Sequence, residues 1–347
     1  MSGETKPCCH GSGPRLPLFM GLNRLAFAVC AAAALALPAP GAWARSAAYK
    51  GAIATDAETG MVLYADNADA VSPPASMTKL MTFAVLDDLL NKGTISLNGP
   101  VTVSGEDARV AALTDSTEVW LRQGETFRVE DLIYAMMIQS ANDAAYALAH
   151  TAGGTVSAFV ALMNAKARQL GMLHSTFRSP HGFPPPSRRI ADGDLTTPRD
   201  YAILCRYLLL NTNILKYTSV RSRTFGAGIR IQPVLMTNHN HLLGKIPGVD
   251  GLKTGFTSGA GFCLSATAER NGHRIIVVMM DSPDSRTRDL NVQQLITQAF
   301  IRVPVDEAPF SRAPQGPAEP MAPAPAQPAP GPAAENGPLI HMPGPGR

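Results

Sequence analysis

Strand-forming residues stand at both ends of the sequence with a long helical stretch between them, an order that narrows the possible folds more than any other feature. Near the C-terminal end, "GFCLSATAERNGHRIIVVMMD" is two β-rich runs joined across Asn271-Gly272, a dipeptide that tolerates the positive φ angles of a tight hairpin turn. Near the other end, "AAYKGAIATDAETGMVLYADNADA" holds two shorter runs around Glu58-Thr59-Gly60, a second hairpin signal. Between them, "MTKLMTFAVLDDLLNKG" spaces Leu80, Phe83, Ala84, Leu86, Leu89 and Leu90 as one helical face and closes on Gly93. Further helices are expected in "RVEDLIYAMMIQ", "NDAAYALAH", "SAFVALMNAKARQL" and "TTPRDYAILCRYLLL". The last has Thr196 or Thr197 as N-cap and Pro198 at the first helical position. A final helix, "RTRDLNVQQLITQAFI", follows the hairpin. This order predicts an α+β fold: a mostly antiparallel sheet built from both chain ends, flanked by helices, with a helical lobe between.

The two termini are different material. Arg24, the apolar run Leu25 to Leu37, a Pro/Gly break and Ala42-Trp43-Ala44 form the charged, apolar and cleavage regions of a secretory leader. Residues 1–44 are therefore expected to be a signal peptide and the protein to be exported to the periplasm or cell envelope. The apolar run falls short of the roughly 20 residues of a membrane span. Met20 opens a leader of more ordinary length, so translation is expected to start there. Cys30 would suit a lipoprotein anchor, but apolar residues continue past it to a cleavage site. From about Val303 onward, "APQGPAEPMAPAPAQPAPGPAAENGP" is Pro/Ala-rich without aliphatic periodicity. Such a segment buries too little apolar area to offset ordering entropy, so residues 303–347 are expected to be a disordered tail without an amphipathic membrane anchor. Residues 45–302 remain as one large domain or a domain with an inserted lobe.

Charge and cysteines exclude more than they reveal. The chain has 30 basic and 27 acidic residues. Without Lys6, Arg15, Arg24 and Glu4 of the leader the balance is 27 to 26, which offers nucleic acid no concentrated basic face. Cys8, Cys9 and Cys30 leave with the leader. Cys205 lies in a helical pattern and Cys263 in a strand pattern; they could pair, though buried free thiols are common. No C-x-x-C spacing survives in the mature part, and no metal or cofactor is expected.

Three polar clusters carry the chemistry. Ser76-Met77-Thr78-Lys79 places a hydroxyl and an amine at i and i+3, on one face of a helix and about 5–6 Å apart at Cβ. Pro73 and Pro74 end the preceding segment, so Ser76 falls near a helix N-terminus, where free backbone N–H groups can meet a developing oxyanion. Ser76 as an N-cap and Lys79 as a solvated first-turn lysine is the plainer reading. Ser140-Ala141-Asn142 interrupts one helical pattern and begins another, as a helix-breaking turn would. Lys253-Thr254-Gly255 precedes the terminal hairpin, as an edge strand with a surface lysine would. Each cluster is weak alone; the three in this order, each on the required type of element, are specific.

The surrounding residues strengthen the pattern. "ASMTKLMT", "IQSANDAA", "SPHGF", "NHNHLLGKIPG" and "GVDGLKTGFTSGAGFCL" resemble the low-molecular-mass penicillin-binding proteins, serine-type D-alanyl-D-alanine carboxypeptidases of bacterial cell-wall metabolism. The likeness runs from about Ala48 to Arg302. It implies a β-lactamase/transpeptidase-like fold with the active site between the sheet edge and the helical lobe. Many members add an all-β domain and a C-terminal amphipathic anchor; here the Pro/Ala segment follows the last helix directly, so neither is expected.

The resemblance also implies roles. Ser76 would attack the carbonyl between the terminal D-alanines of a peptidoglycan stem peptide, with Lys79 as base, neutral through desolvation and the nearby Lys253 cation. Lys253 and Thr254 would hold the substrate carboxylate. Ser140 would bridge the lysines and protonate the departing D-alanine, and Asn142 would hydrogen-bond a substrate amide. The N–H groups of Ser76 and Phe256 would form the oxyanion hole. Arg288, with Arg286 as fallback, would give a second carboxylate contact. β-Lactams, which mimic the D-Ala-D-Ala end, are expected as covalent inhibitors.

A class A β-lactamase needs a glutamate between the second and third clusters to drive deacylation, and no glutamate occurs between Gly154 and Lys253. A D,D-endopeptidase cutting cross-bridges shares the motifs and stays open. A silent muropeptide or β-lactam receptor would be expected to lack the serine or the lysine, and both are present. His239 and His241 form an H-x-H without a third ligand nearby in sequence and are expected in a connecting segment. His181-Gly182 fits a turn supporting the site, with His181 itself as an open contributor. Met136-Met137 and Leu208 to Leu210 are expected in the core.

Overall fold

The computed structural model describes residues 49–110 and 116–303. The leader and the Pro/Ala tail lie outside these residues. The N-terminal runs fold as β1 (Gly51–Asp56) and β2 (Val62–Asp66). A tight 3₁₀ turn, Ala75–Thr78, leads into α1 (Lys79–Asn91). The lobe then comprises β3 (Pro100–Thr102), α2 (Gly105–Val110), β4 (Thr126–Arg128), α3 (Val129–Tyr134), a π-helical turn Ala135–Gln139, α4 (Asn142–Gly153) and α5 (Val156–Leu170). There follow α6 (Pro198–Asn211), α7 (Leu215–Thr218), β5 (Ser222–Phe225) and β6 (Val234–Thr237). The chain closes with β7 (Val249–Thr257), β8 (Gly261–Arg270), β9 (His273–Ser282) and α8 (Ser285–Arg302).

One five-stranded sheet runs in the order β2-β1-β9-β8-β7, and every pairing in it is antiparallel. Strands from the two chain ends meet along β1 and β9, from Gly51 opposite Met280 to Asp56 opposite Ile275. The Asn271-Gly272 turn has both residues at positive φ, 52° and 80°, and Arg270 faces His273 across it. Residues 275–280 of β9 are all buried, which in a strand of period 2 means both faces are covered. Ile276, Val278 and Met280 join one continuous core with Leu80, Phe83, Leu148 and Tyr201 of the helical side. The alternate residues lie outside that core, and α8, with Val292, Ile296 and Ala299 buried, packs on β8 and β9.

Local chemistry explains where the central helices begin. Thr197 is the N-cap of α6: its side chain accepts from the Asp200 N–H, and Pro198 follows at the first helical position. Thr155 caps α5 in the same way through Ala158. Met136 and Met137 are buried, as is Leu208, while Leu210 is exposed and corrects the expectation that Leu208 to Leu210 all face inward. Cys205 and Cys263 are free and buried rather than paired. Among the described residues no single helix is long and apolar enough to cross a membrane.

Candidate active site

Ser76 lies on the 3₁₀ turn and Lys79 is the first residue of α1. A 3₁₀ turn repeats every three residues, so side chains at i and i+3 stand one above the other rather than offset as on an α-helix. Lys79 Nζ is 2.9 Å from Ser76 Oγ. The turn is held in a strained shape: Ala75, just before the serine, has φ +50°, a conformation that persists only where neighbours fix it. Two glycines allow those neighbours to close in. A Cβ on Gly182, whose φ is +79°, would stand 1.9 Å from Ala75 O, and one on Gly255 would stand 2.5 Å from Pro74 O. The "SPHGF" segment and the edge strand β7 thus press their backbones against the serine turn from separate sides.

Lys79 has no accessible surface. Besides Ser76 Oγ it reaches Asn142 Oδ1 at 2.6 Å and the carbonyl of His181 at 2.8 Å. Both are fixed acceptors, and a neutral amine has two N–H bonds to give them. In that neutral state its lone pair would be left for the Ser76 hydroxyl. Burial, and after it the positive charge of Lys253, push the Lys79 pKa well below the ordinary lysine range, against smaller opposing effects of Asp143 and Asp194. The His181 carbonyl is held in place from below: the Asp194 carboxylate accepts from the N–H groups of Arg178 and Ser179 and from the hydroxyls of Thr78 and Ser179. Burial and the Lys79 charge lower the His181 pKa to about 3, so its ring is neutral.

The other two clusters converge on this pair. Ser140, at φ +63°, ends the π-helical turn, and its Oγ accepts from Lys253 Nζ at 3.0 Å. Lys253 lies on β7, the sheet edge, but is 2% exposed rather than a surface lysine. Burial, and then the Arg288 charge, lower its pKa to about 7. Thr254 is buried beside it, and its carbonyl accepts from Lys253 Nζ. Arg288 is buried near the start of α8 with its guanidinium on Asp289, whereas Arg286 is exposed. Phe256 stacks on Phe262 with ring centroids 4.1 Å apart and is 53% exposed, so it can serve the site through its backbone.

One feature escapes the sequence motifs. Residues 116–121 are stitched to the Ser140 cluster: Asn142 Nδ2 donates to Ser116 Oγ, its backbone N–H to the Thr117 carbonyl, and Thr117 Oγ1 to the Ser140 carbonyl. Nothing local in "DSTEVW" announces this, because the partners lie more than 20 residues away. His239 lies, as expected, in the segment connecting β6 and β7, and it is partly buried there. Burial, then Lys253, His241, Lys79 and Arg288, lower its pKa to about 4, placing a neutral imidazole among the site's cations. The spacing N-H-N-H offered a signal, since Asn240 is buried with its amide on the Gly251 carbonyl. Among the described residues no group of three or more His, Cys, Asp or Glu is placed to hold a metal ion.

A serine with a lysine amine at its hydroxyl, a second serine–lysine pair opposite and a sheet edge between them sit in an α+β transpeptidase fold. The structure matches that of a penicillin-binding protein of Listeria monocytogenes in its ampicillin-bound form, with a TM-score of 0.63 and 32% identity over 73% of this chain and 97% of that one. In sequence the chain is 36% identical over 252 residues to the D-alanyl-D-alanine carboxypeptidase DacC of Escherichia coli, covering 72% of this chain and 60% of that protein. It is 32% identical over 251 residues to DacF of Bacillus subtilis, another D-alanyl-D-alanine carboxypeptidase, covering 72% and 62%. The chain thus spans about three fifths of the length of these curated relatives. Residues 39–284 match the D-alanyl-D-alanine carboxypeptidase family, and the chain belongs to that family.

Proposed function

We propose that the protein is a serine-type D-Ala-D-Ala carboxypeptidase that removes the terminal D-alanine of peptidoglycan stem peptides through an acyl-enzyme on Ser76. The observation that carries this reading is the 2.9 Å approach of Lys79 Nζ to Ser76 Oγ, with the two remaining acceptors at Lys79 already supplied by Asn142 and His181. Neutral Lys79 takes the hydroxyl proton as Ser76 Oγ attacks the carbonyl between the D-alanines. The N–H groups of Ser76 and Phe256 receive the oxyanion; one such donor lowers the barrier by about 3–4 kcal/mol.

Lys253, Thr254 and Arg288 bind the substrate carboxylate. Ser140, hydrogen-bonded to Lys253, links the two lysines and passes a proton to the departing D-alanine. Asn142 keeps a second amide hydrogen and a second lone pair for a substrate backbone amide. Water then hydrolyses the acyl-enzyme. A penicillin enters the same first step, in keeping with the ampicillin-bound Listeria relative, and blocks Ser76. The leader-like residues 1–44 support export to the periplasm or cell envelope, where such peptides occur, with residues 45–302 as the working domain and 303–347 as a tail.

The test is hydrolysis of diacetyl-Lys-D-Ala-D-Ala beside a cross-linked muropeptide, with Ser76→Ala as control. Release of D-alanine by the native protein but not by Ser76→Ala is expected. Cleavage confined to the cross-link, or none of either substrate, overturns the carboxypeptidase reading.

A further inference from the structure

We propose that Arg230 is a positioning residue for Ser140 and Asn142: its guanidinium fixes the shape of residues 117–121, a strap on which both depend. The inference rests on Ser76 being acylated with Ser140 and Asn142 taking part. Arg230 lies in the loop joining β5 to β6, and its side chain is 8% exposed. The guanidinium packs against Phe127 and Phe225, 5.2 and 5.1 Å from their ring centroids. The loop is turned so that the Ile229 and Arg230 N–H groups both donate to the Gly226 carbonyl. Gly226 has φ +76°, and a Cβ there would stand 2.9 Å from Arg230 Cδ, so the arginine stem crosses bare backbone. From this position one planar fork reaches three residues. Nε and Nη2 donate to the two carboxylate oxygens of Glu125. Nη1 donates to the Val119 carbonyl at 2.6 Å and Nη2 to the Trp120 carbonyl at 2.9 Å.

The strap needs such a donor. Residues 116–121 form neither helix nor strand, so their backbone groups must find partners outside the segment. The Val119 and Leu121 N–H groups donate to the buried Asp143 carboxylate, the latter at 3.0 Å. Asp143 thus grips the strap by its N–H groups and Arg230 by its carbonyls. Between the two grips Trp120 is held at φ +54°, a conformation that persists only where neighbours impose it. The other end of the strap carries the site: Thr117 Oγ1 donates to the Ser140 carbonyl, and the Thr117 carbonyl accepts the Asn142 N–H at 2.7 Å. Without Arg230 the two carbonyls lose their donors, Trp120 relaxes toward negative φ, and Thr117 is displaced with it. Ser140 then loses its alignment with Lys253, and Asn142 its alignment with Lys79. Glu125 has a different part, which is to neutralise the buried guanidinium.

The experiment follows covalent labelling by a fluorescent penicillin, reading both the second-order rate and the final stoichiometry, with melting temperatures alongside. A merely structural arginine would change the fraction of protein that labels, not the rate at which folded protein labels. Arg230→Gln is expected to label about tenfold more slowly than wild type, the scale of one hydrogen bond in a barrier, and to reach full stoichiometry. Glu125→Gln keeps an acceptor for the guanidinium and leaves both carbonyl contacts in place. It is expected to lose melting temperature, because a buried charge is left without its partner, yet to label at the wild-type rate. Arg230→Lys retains the charge beside Glu125 but has no fork to span both carbonyls. It is expected to label several-fold more slowly, and it carries the test should Arg230→Gln not fold. A wild-type rate in folded Arg230→Gln or Arg230→Lys, a fall in stoichiometry with no fall in rate, or equal slowing in Glu125→Gln would each overturn the proposal. Labelling of Ser76→Ala would instead remove the acylation reading itself, which makes the two failures distinguishable.

Discussion

A lysine without accessible surface keeps its charge only when something nearby offsets the lost hydration. Around Lys79 the nearest cation, Lys253, acts in the opposite sense, and the neutral amine is favoured. Lys79→Arg tests this directly. A guanidinium retains the charge and cannot give up its proton, so penicillin labelling is expected to fall by about 10³-fold, the range of a lost general base. Labelling within a few-fold of wild type would show that Lys79 acts only as a cation. On the proposed mechanism Lys253 has the opposite task and must be charged to hold a carboxylate. With its pKa lowered to about 7, the ammonium is present below that pH and is lost as pH rises through it. The kcat/KM profile, which reports the free enzyme, is therefore expected to fall above about pH 7. In Lys253→Arg this limb is expected to move upward by more than one unit; an unmoved limb assigns it to another group.

At the scale of elements, the site depends on three backbones meeting: the serine turn, the "SPHGF" segment and β7. Gly182→Ala is expected to drive the turn away from its position, since the added Cβ would lie 1.9 Å from Ala75 O at a φ of +79°. A drop of several degrees in melting temperature together with loss of penicillin labelling is the outcome to look for; an unaffected variant would mean the approach is not needed. Elements with local signals were legible in the sequence. The Asn271-Gly272 hairpin, the Thr197 cap of α6 and the helical face from Leu80 to Leu90 each follow from residues within a few positions of one another. The ribbons β3/β4 and β5/β6, three or four residues per strand, carry too short a pattern to register. The three motifs announced Ser76, Lys79, Ser140 and Lys253, which the fold draws together. Ser116 and Thr117 did not register, because their relevance comes from partners remote in sequence.

Across the whole molecule, the sheet joins the two chain ends and carries buried cations whose ionisation is linked to folding. For Lys253 the folded pKa, about 7, lies below the unfolded value near 10.4. Between those values the unfolded chain binds more protons, so stability rises with pH across that window. Lys253→Met removes the linkage. The gain in melting temperature from pH 7 to 10 is expected to be smaller in that variant than in wild type; equal gains would mean that Lys253 is not a buried, destabilised cation. Catalysis on this reading turns on a single bond, the one that Ser76 Oγ forms with the acyl group. Peptide mapping by mass spectrometry after incubation with penicillin measures it most directly. One adduct of intact penicillin mass is expected on the peptide containing Ser76, absent from Ser76→Ala. An adduct on another residue, or none on fully folded protein, would contradict it.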